Sequence, residues 1–184
     1  MLRTRLLIFI ASLLMTGLLF AQSDCYECHG EPDFTRTNAD GDEESMFVSD
    51  SIYTNSVHGD FDCVDCHVDA VGDPHPDQLE PVNCGMCHDD DQMNFEAGLH
   101  GQKLLAGDEC APTCASCHGT HDILNSMDEN SRTHSFNLTT TCGTCHKKDG
   151  PACIDRYGVS LPVERFDNGV HGRSLAEGND EAAS

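Results

Sequence analysis

Five times in this chain of 184 residues a cysteine is followed three positions later by a second cysteine, and at once by a histidine. The pairs are Cys25/Cys28, Cys63/Cys66, Cys84/Cys87, Cys114/Cys117 and Cys142/Cys145, with His29, His67, His88, His118 and His146 in the fifth place. Two thiols at that spacing can form thioethers to the two vinyl groups of one porphyrin, and the adjacent imidazole then reaches the iron. C-x-x-C-H is for that reason the attachment signal of c-type haem. A disulfide framework or a set of zinc sites would also use C-x-x-C pairs, but neither explains a histidine after every pair. The sequence therefore predicts five haem c groups, ten cysteines as attachment points and five proximal histidines.

This constrains the fold. The chain has no Trp, 6% aromatic residues and 38% hydrophobic residues, of which the first twenty positions take a disproportionate share. Little is left for an ordinary apolar core. Several flat, largely apolar haems would supply the missing buried surface. The expected architecture is mostly irregular with short α-helices and little or no β-sheet, a multihaem array organised by its covalent groups.

The N-terminus reads as an export leader over residues 1–21. Arg3 and Arg5 form a positive head, Leu6 to Phe20 an apolar run, and Leu19, Phe20 and Ala21 a tolerable cleavage site. An uncleaved helical anchor is the alternative, although the run is short of the ~20 residues that span a bilayer. Either way the rest of the chain is expected in the periplasm or on the extracellular face. The formal net charge is −22, and loss of Arg3 and Arg5 would make it −24. That excludes a nucleic-acid binder, which needs basic surface. It suits solubility of a loop-rich chain, or an acidic face for a basic redox partner.

An internal repeat organises the remainder. An aromatic residue precedes an aliphatic-His-Gly triplet at Tyr53 with Val57 to Gly59, at Phe95 with Leu99 to Gly101, and at Phe166 with Val170 to Gly172. Two haem motifs follow each of the first two, the second with glycine after its first cysteine, at Gly85 and Gly143. The expected organisation is a first haem segment with an acidic linker at 22–52, a two-haem module at 53–94, a longer one at 95–165, and the start of a third at 166–184. Counting from His171 as from His100, the next cysteine falls one position past Ser184, so a sixth motif is expected beyond it. Helices are predicted over Phe95–Ala106, capped by Asn94 and closed by Gly107, and over Phe166–Glu177, closed by Gly178. Residues 31–50 read as loop.

Five irons need distal ligands. Outside the motifs stand His58, His75, His100, His121, His134 and His171. The first five are the distal candidates, with the repeated His-Gly context favouring His58 and His100. Met46, Met93 and Met127 are weaker rivals that would raise the potential. Cys110 and Cys153 are left over, either as a disulfide, which an oxidising compartment permits, or as two separate thiols. Lys147 and Lys148 beside His146 read as a local docking patch or as counter-charge for haem propionates, the second favoured.

In the run His100, Gly101, Cys114, Cys117, His118, Gly119, His121, Cys142, Gly143, Cys145 and His146 the chain resembles the multihaem cytochromes c of anaerobically respiring bacteria with doubled C-x-x-C-H motifs. The resemblance covers most of the chain after the leader, but the first module departs from it, with Val68 and Asp69 after His67. It implies bis-histidine haems of low potential, close enough to pass electrons from one to the next. It also implies other redox proteins as partners, among them a quinol-oxidising membrane cytochrome b, with membrane association through the N-terminus or a further C-terminal part. The function expected is electron transfer by a carrier that is not an enzyme. The rivals are a multihaem reductase of a small nitrogen or sulfur compound, which needs an iron with an open site, and a subunit of an extracellular cytochrome filament.

Overall fold

The computed structural model describes residues 21–38, 40–72, 74–147 and 162–179. The leader before Ala21, Lys148, Cys153 and the last five residues lie outside them.

Among the described residues short helices and irregular segments dominate, with one two-stranded ribbon. The helices are α1 (Ala21–His29), α2 (Asp50–Thr54), α3 (Cys63–Cys66), α4 (Asp89–Ala97), α5 (Leu99–Leu105), α6 (Cys114–His118), α7 (Leu138–Gly143), α8 (Pro162–Asp167) and α9 (Val170–Ala176). Single 3-10 turns stand at Cys84–Met86 and Ser135–Asn137. The strands β1 (Thr35–Thr37) and β2 (Glu43–Ser45) pair antiparallel, with Arg36 opposite Glu44.

The ribbon lies in the stretch expected to be loop. Its turn is local chemistry: the Asn38 side chain accepts from the backbone N–H groups of Asp40 and Asp42, and Gly41 supplies a positive φ of 91°. Its strands, Thr-Arg-Thr and Glu-Glu-Ser, carry no apolar alternation because neither face is covered.

The chain divides into two compact units. One comprises residues up to Thr54 with Gly59–Asn83; the other comprises Asn55–His58 with everything from Cys84. The second unit holds a structural repeat, α4–α5 and α8–α9. Each pair was expected as one helix, and each is broken by an extended glycine, Gly98 (ψ 169°) or Gly169 (ψ 175°). The first pair also begins earlier than Asn94 suggests, because Asp89, Asp90 and Asp91 occupy the first turn of α4, where carboxylates favour a helix N-terminus. The closures fall where expected. Gly107 (φ 76°) accompanies bonds from Gly107 N to Leu104 O and from Asp108 N to Lys103 O, a Schellman motif that Gly178 (φ 89°) repeats with Leu175 and Ser174.

The glycine of each His-Gly pair has a packing reason. A Cβ on Gly101 would fall under 3.0 Å from the carbonyl oxygen of Phe95, one on Gly172 equally close to that of Phe166, and one on Gly59 to that of Tyr53. The aromatic residue and the glycine are thus the two sides of one close approach, which turns the histidine-bearing segment back on the helix before it.

The described residues form almost no apolar core. Among the described residues, Tyr53 and Leu175 are the buried hydrophobic ones. Val64, Val68, Met86, Leu99, Leu105 and Val170, all in or beside histidine-bearing segments, are exposed.

Candidate functional site

Each C-x-x-C-H is built as one helical turn. The first is the end of α1, and the second begins with a capping box, in which the Asp62 N–H donates to Asp65 Oδ2 at 2.9 Å; in the fourth the Thr113 N–H donates to Ser116 Oγ at 3.0 Å. The turn closes by bonds from His67 N to Cys63 O (2.9 Å), His88 N to Cys84 O (3.0 Å) and His146 N to Cys142 O (2.8 Å). Residues three and four apart on a helix share a face, so both thiols and the imidazole are presented together.

None of the ten motif cysteines stands in a disulfide. In the first two motifs the surroundings of the two thiols differ: Cys25 and Cys63 are half-buried, whereas Cys28 and Cys66 are exposed. The reason is position. Cys28 stands in the last turn of α1, where its carbonyl already accepts from the Glu31 N–H at 3.1 Å as the chain leaves the helix, while Cys25, one turn earlier, faces Cys63. In the third motif both Cys84 and Cys87 are exposed; in the fourth both Cys114 and Cys117 are half-buried; in the fifth Cys142 is exposed and Cys145 half-buried. Cys110 is disulfide-bonded; its expected partner Cys153 lies outside the described residues.

The structure pairs motif histidines with histidines from outside the motifs. His29 and His75 have ring centroids 5.9 Å apart with an interplanar angle of 9°; His58 and His88, 6.0 Å and 73°; His100 and His146, 5.8 Å and 28°. Such separations also occur between aromatic rings in contact. They equally match one iron between two imidazoles: two bonds of about 2.0 Å and about 1.1 Å from nitrogen to centroid on each side give roughly 6 Å. The composition of the pairs favours the second reading, because each joins one proximal candidate to one distal candidate.

Hydrogen bonding supports it in the first pair. His29 Nδ1 lies 2.8 Å from the carbonyl oxygen of Met46, and His75 Nδ1 lies 2.8 Å from that of Pro76. A carbonyl can only accept, so both Nδ1 atoms carry the proton and both Nε2 lone pairs are left for a metal, the arrangement typical of ligating histidines. Phe34 packs edge-on against His29 at 5.3 Å.

His134 is different. It is buried, and its Nδ1 accepts from the Phe136 N–H at 3.3 Å as the cap of the Ser135–Asn137 turn. An accepting Nδ1 puts the proton of the neutral ring on Nε2, which suits a cap rather than a ligand. His121 is half-buried, and His171 is exposed at the start of α9. Next to His118, Gly119 (φ 92°) leaves room for the Asp122 carboxylate, which pairs with Arg132 at 2.7 Å. Burial opposes ionisation of Asp122, but the hydrogen bonds from Arg132 and from the Thr120 N–H outweigh it and hold the carboxyl below its ordinary range.

Neighbouring motifs meet within each unit. The Cys25 and Cys63 thiols share a hydrogen bond, as do those of Cys84 and Cys114, and Cys117 lies beside Cys142 and Cys145. Burial, then the Cys25 neighbour, pushes the Cys63 thiol up to about 11, so it stays protonated. Burial lowers His67, Asp69 opposes that, and His29 and His75 add to it, which keeps the ring neutral and able to ligate.

These observations fit haem. The histidines meet in twos, which suits an iron whose other four ligands come from a porphyrin. The exposed apolar side chains beside the motifs would pack against a flat apolar group, and the Tyr26 hydroxyl inside the first motif is buried without a hydrogen-bond partner in the described structure. Pairing across sequence distance was beyond the motif pattern: His58 meets the third motif rather than the nearby second, and His75 meets the first, 46 residues back. Compared with protein-family models, with curated proteins and with solved structures, the chain shows no match to any of them. Among the described residues no helix is long and apolar enough to cross a membrane.

Proposed function

We propose that this chain is an exported electron carrier holding five c-type haems, three of them with the axial pairs His29/His75, His88/His58 and His146/His100. The observation that carries the reading is the meeting of three motif histidines with three non-motif histidines at 5.8–6.0 Å. His134, which caps the Ser135–Asn137 turn, is not among these pairs. When bound, the haem irons supply the redox chemistry, cycling between ferric and ferrous forms.

The chain's part is to hold each site unchanged through that cycle. The ten thiols would fix the groups in order, and in the first site His29 and His75, tied through Nδ1 to the carbonyls of Met46 and Pro76, would hold the iron from both sides with little movement. The cysteine contacts between the first and second motifs, and among the third, fourth and fifth, favour transfer within each unit.

A reductase needs an iron with an open position, and three of the five proximal histidines already face a second imidazole. The partners are therefore other redox proteins, recognised through an acidic surface, with a quinol-oxidising membrane cytochrome b as one donor consistent with the resemblance. Redox titration combined with spin-state spectroscopy tests the function. A carrier gives reversible low-spin signals in both oxidation states; a high-spin haem that binds nitrite, sulfite or cyanide would favour the reductase.

A further inference from the structure

The β1–β2 ribbon is built on the first proximal histidine. At its start Phe34 packs on the His29 ring; at its end Met46 O receives the His29 Nδ1 proton and Val48 N donates to His29 O at 2.7 Å. Arg36, in the middle of β1, reaches in two directions. Its Nε and Nη2 approach Glu44 Oε2 on β2 at 3.0 and 2.9 Å, and its Nη1 donates to the carbonyl oxygen of Asp77 at 3.0 Å.

Asp77 follows Pro76, whose own carbonyl holds His75 Nδ1. The distal ligand thus sits in Pro74-His75-Pro76, where neither proline has an N–H to anchor the backbone. The guanidinium ties this loop to the ribbon carrying the proximal side. Its planar fork suits the task, because it meets a carboxylate and a carbonyl at once in fixed geometry. Arg36 is also the one Lys or Arg between Ala21 and Gln102, a stretch with twenty Asp and Glu residues.

We propose that Arg36 is a positioning residue for the haem of the first motif, fixing His75 opposite His29 and supplying the cation that eases reduction of that haem. This rests on the electron-carrier reading. An electron added to an iron is stabilised by a nearby cation, and loss of Arg36 would leave Glu44 uncompensated in an already acidic region.

The test uses the full exported holoprotein. Intact mass and a haemochrome assay first count haems, and H75M marks which low-spin signal belongs to the His29/His75 site. In R36Q that same signal should change, and one midpoint potential should move negative, by less at high salt. R36Q/E44Q should recover most of the potential shift without recovering the signal, because charge balance returns but the Asp77 link does not. R36K, the milder variant should R36Q fail to mature, should keep the potential and alter the signal. Five haems with the marked signal and all potentials unchanged in R36Q or R36K overturn the role of Arg36. Absence of haem from the wild-type first motif overturns the underlying reading instead.

Discussion

Gly101→Ala probes the step from sequence repeat to axial ligand. The added methyl falls under 3.0 Å from Phe95 O and from Glu96 Cα. Taking about 3.5 Å as ordinary contact, α5 must retreat from the end of α4 by at least about 0.5 Å. That is the tolerance within which a preorganised site keeps its geometry, about 0.5 Å. His100 precedes Gly101 and moves with it, away from its 5.8 Å separation from His146. Overpacking of this kind costs about 1–3 kcal/mol, while alanine gains about 1 kcal/mol over glycine in a helix interior. The net expectation is a loss of up to about 2 kcal/mol, a fall of several degrees in Tm, and one of five haems with high-spin character in optical and electron paramagnetic resonance spectra. A variant that gains the helix-propensity increment and keeps every haem low-spin would refute the argument, because nothing then crowds the glycine.

Other expectations follow from single contacts. His58→Ala should convert one haem to high spin, and adding Cys84→Ala and Cys87→Ala should leave the remaining haems low-spin; a persisting high-spin signal would assign His58 elsewhere. Tyr53, buried and donating to Phe61 O at 2.8 Å, has its hydroxyl pushed up to about 12 chiefly by burial. Its folded value exceeds the ordinary 10, so this contribution is complete below pH 10 and is lost as pH rises from 10 toward 12. Tyr53→Phe should cost about 1 kcal/mol at neutral pH and flatten that alkaline loss in denaturation curves. For Asp122 the sign is opposite. Its depressed carboxyl stabilises the fold above its ordinary value near 3.8, and this is lost as pH falls through the lower folded value; Arg132→Gln should weaken that acid dependence.

Much of the site was legible because its chemistry is local. The thiols and imidazole of C-x-x-C-H lie within one helical turn, and Gly107 and Gly178 mark their helix ends by a conformation that glycine adopts readily. Which thiol of a motif is covered was not legible, because the half-burial of Cys25 beside an exposed Cys28 depends on Cys63, far along the chain. The aromatic before each His-Gly pair was legible as a repeat, although its cause, a glycine packed against the aromatic residue's carbonyl, needed the backbone. The ribbon at 35–45 was not legible, because Thr, Arg, Glu and Ser on two wet faces give no period. The breaks at Gly98 and Gly169 hid inside helical patterns for a similar reason, since one glycine does not by itself announce a stop. Partner choice between histidines was least visible. Spacing does not say that His75 turns back to His29, or that His134 Nδ1 accepts from the Phe136 N–H as a turn cap.

The central claim is five covalent haems, and intact mass of the matured, exported protein after denaturation and chelation tests it most directly. The account predicts the mature chain plus five haem increments that survive denaturation, with no bound zinc. A chain carrying three or fewer haems, or intramotif disulfides or zinc in their place, would contradict it.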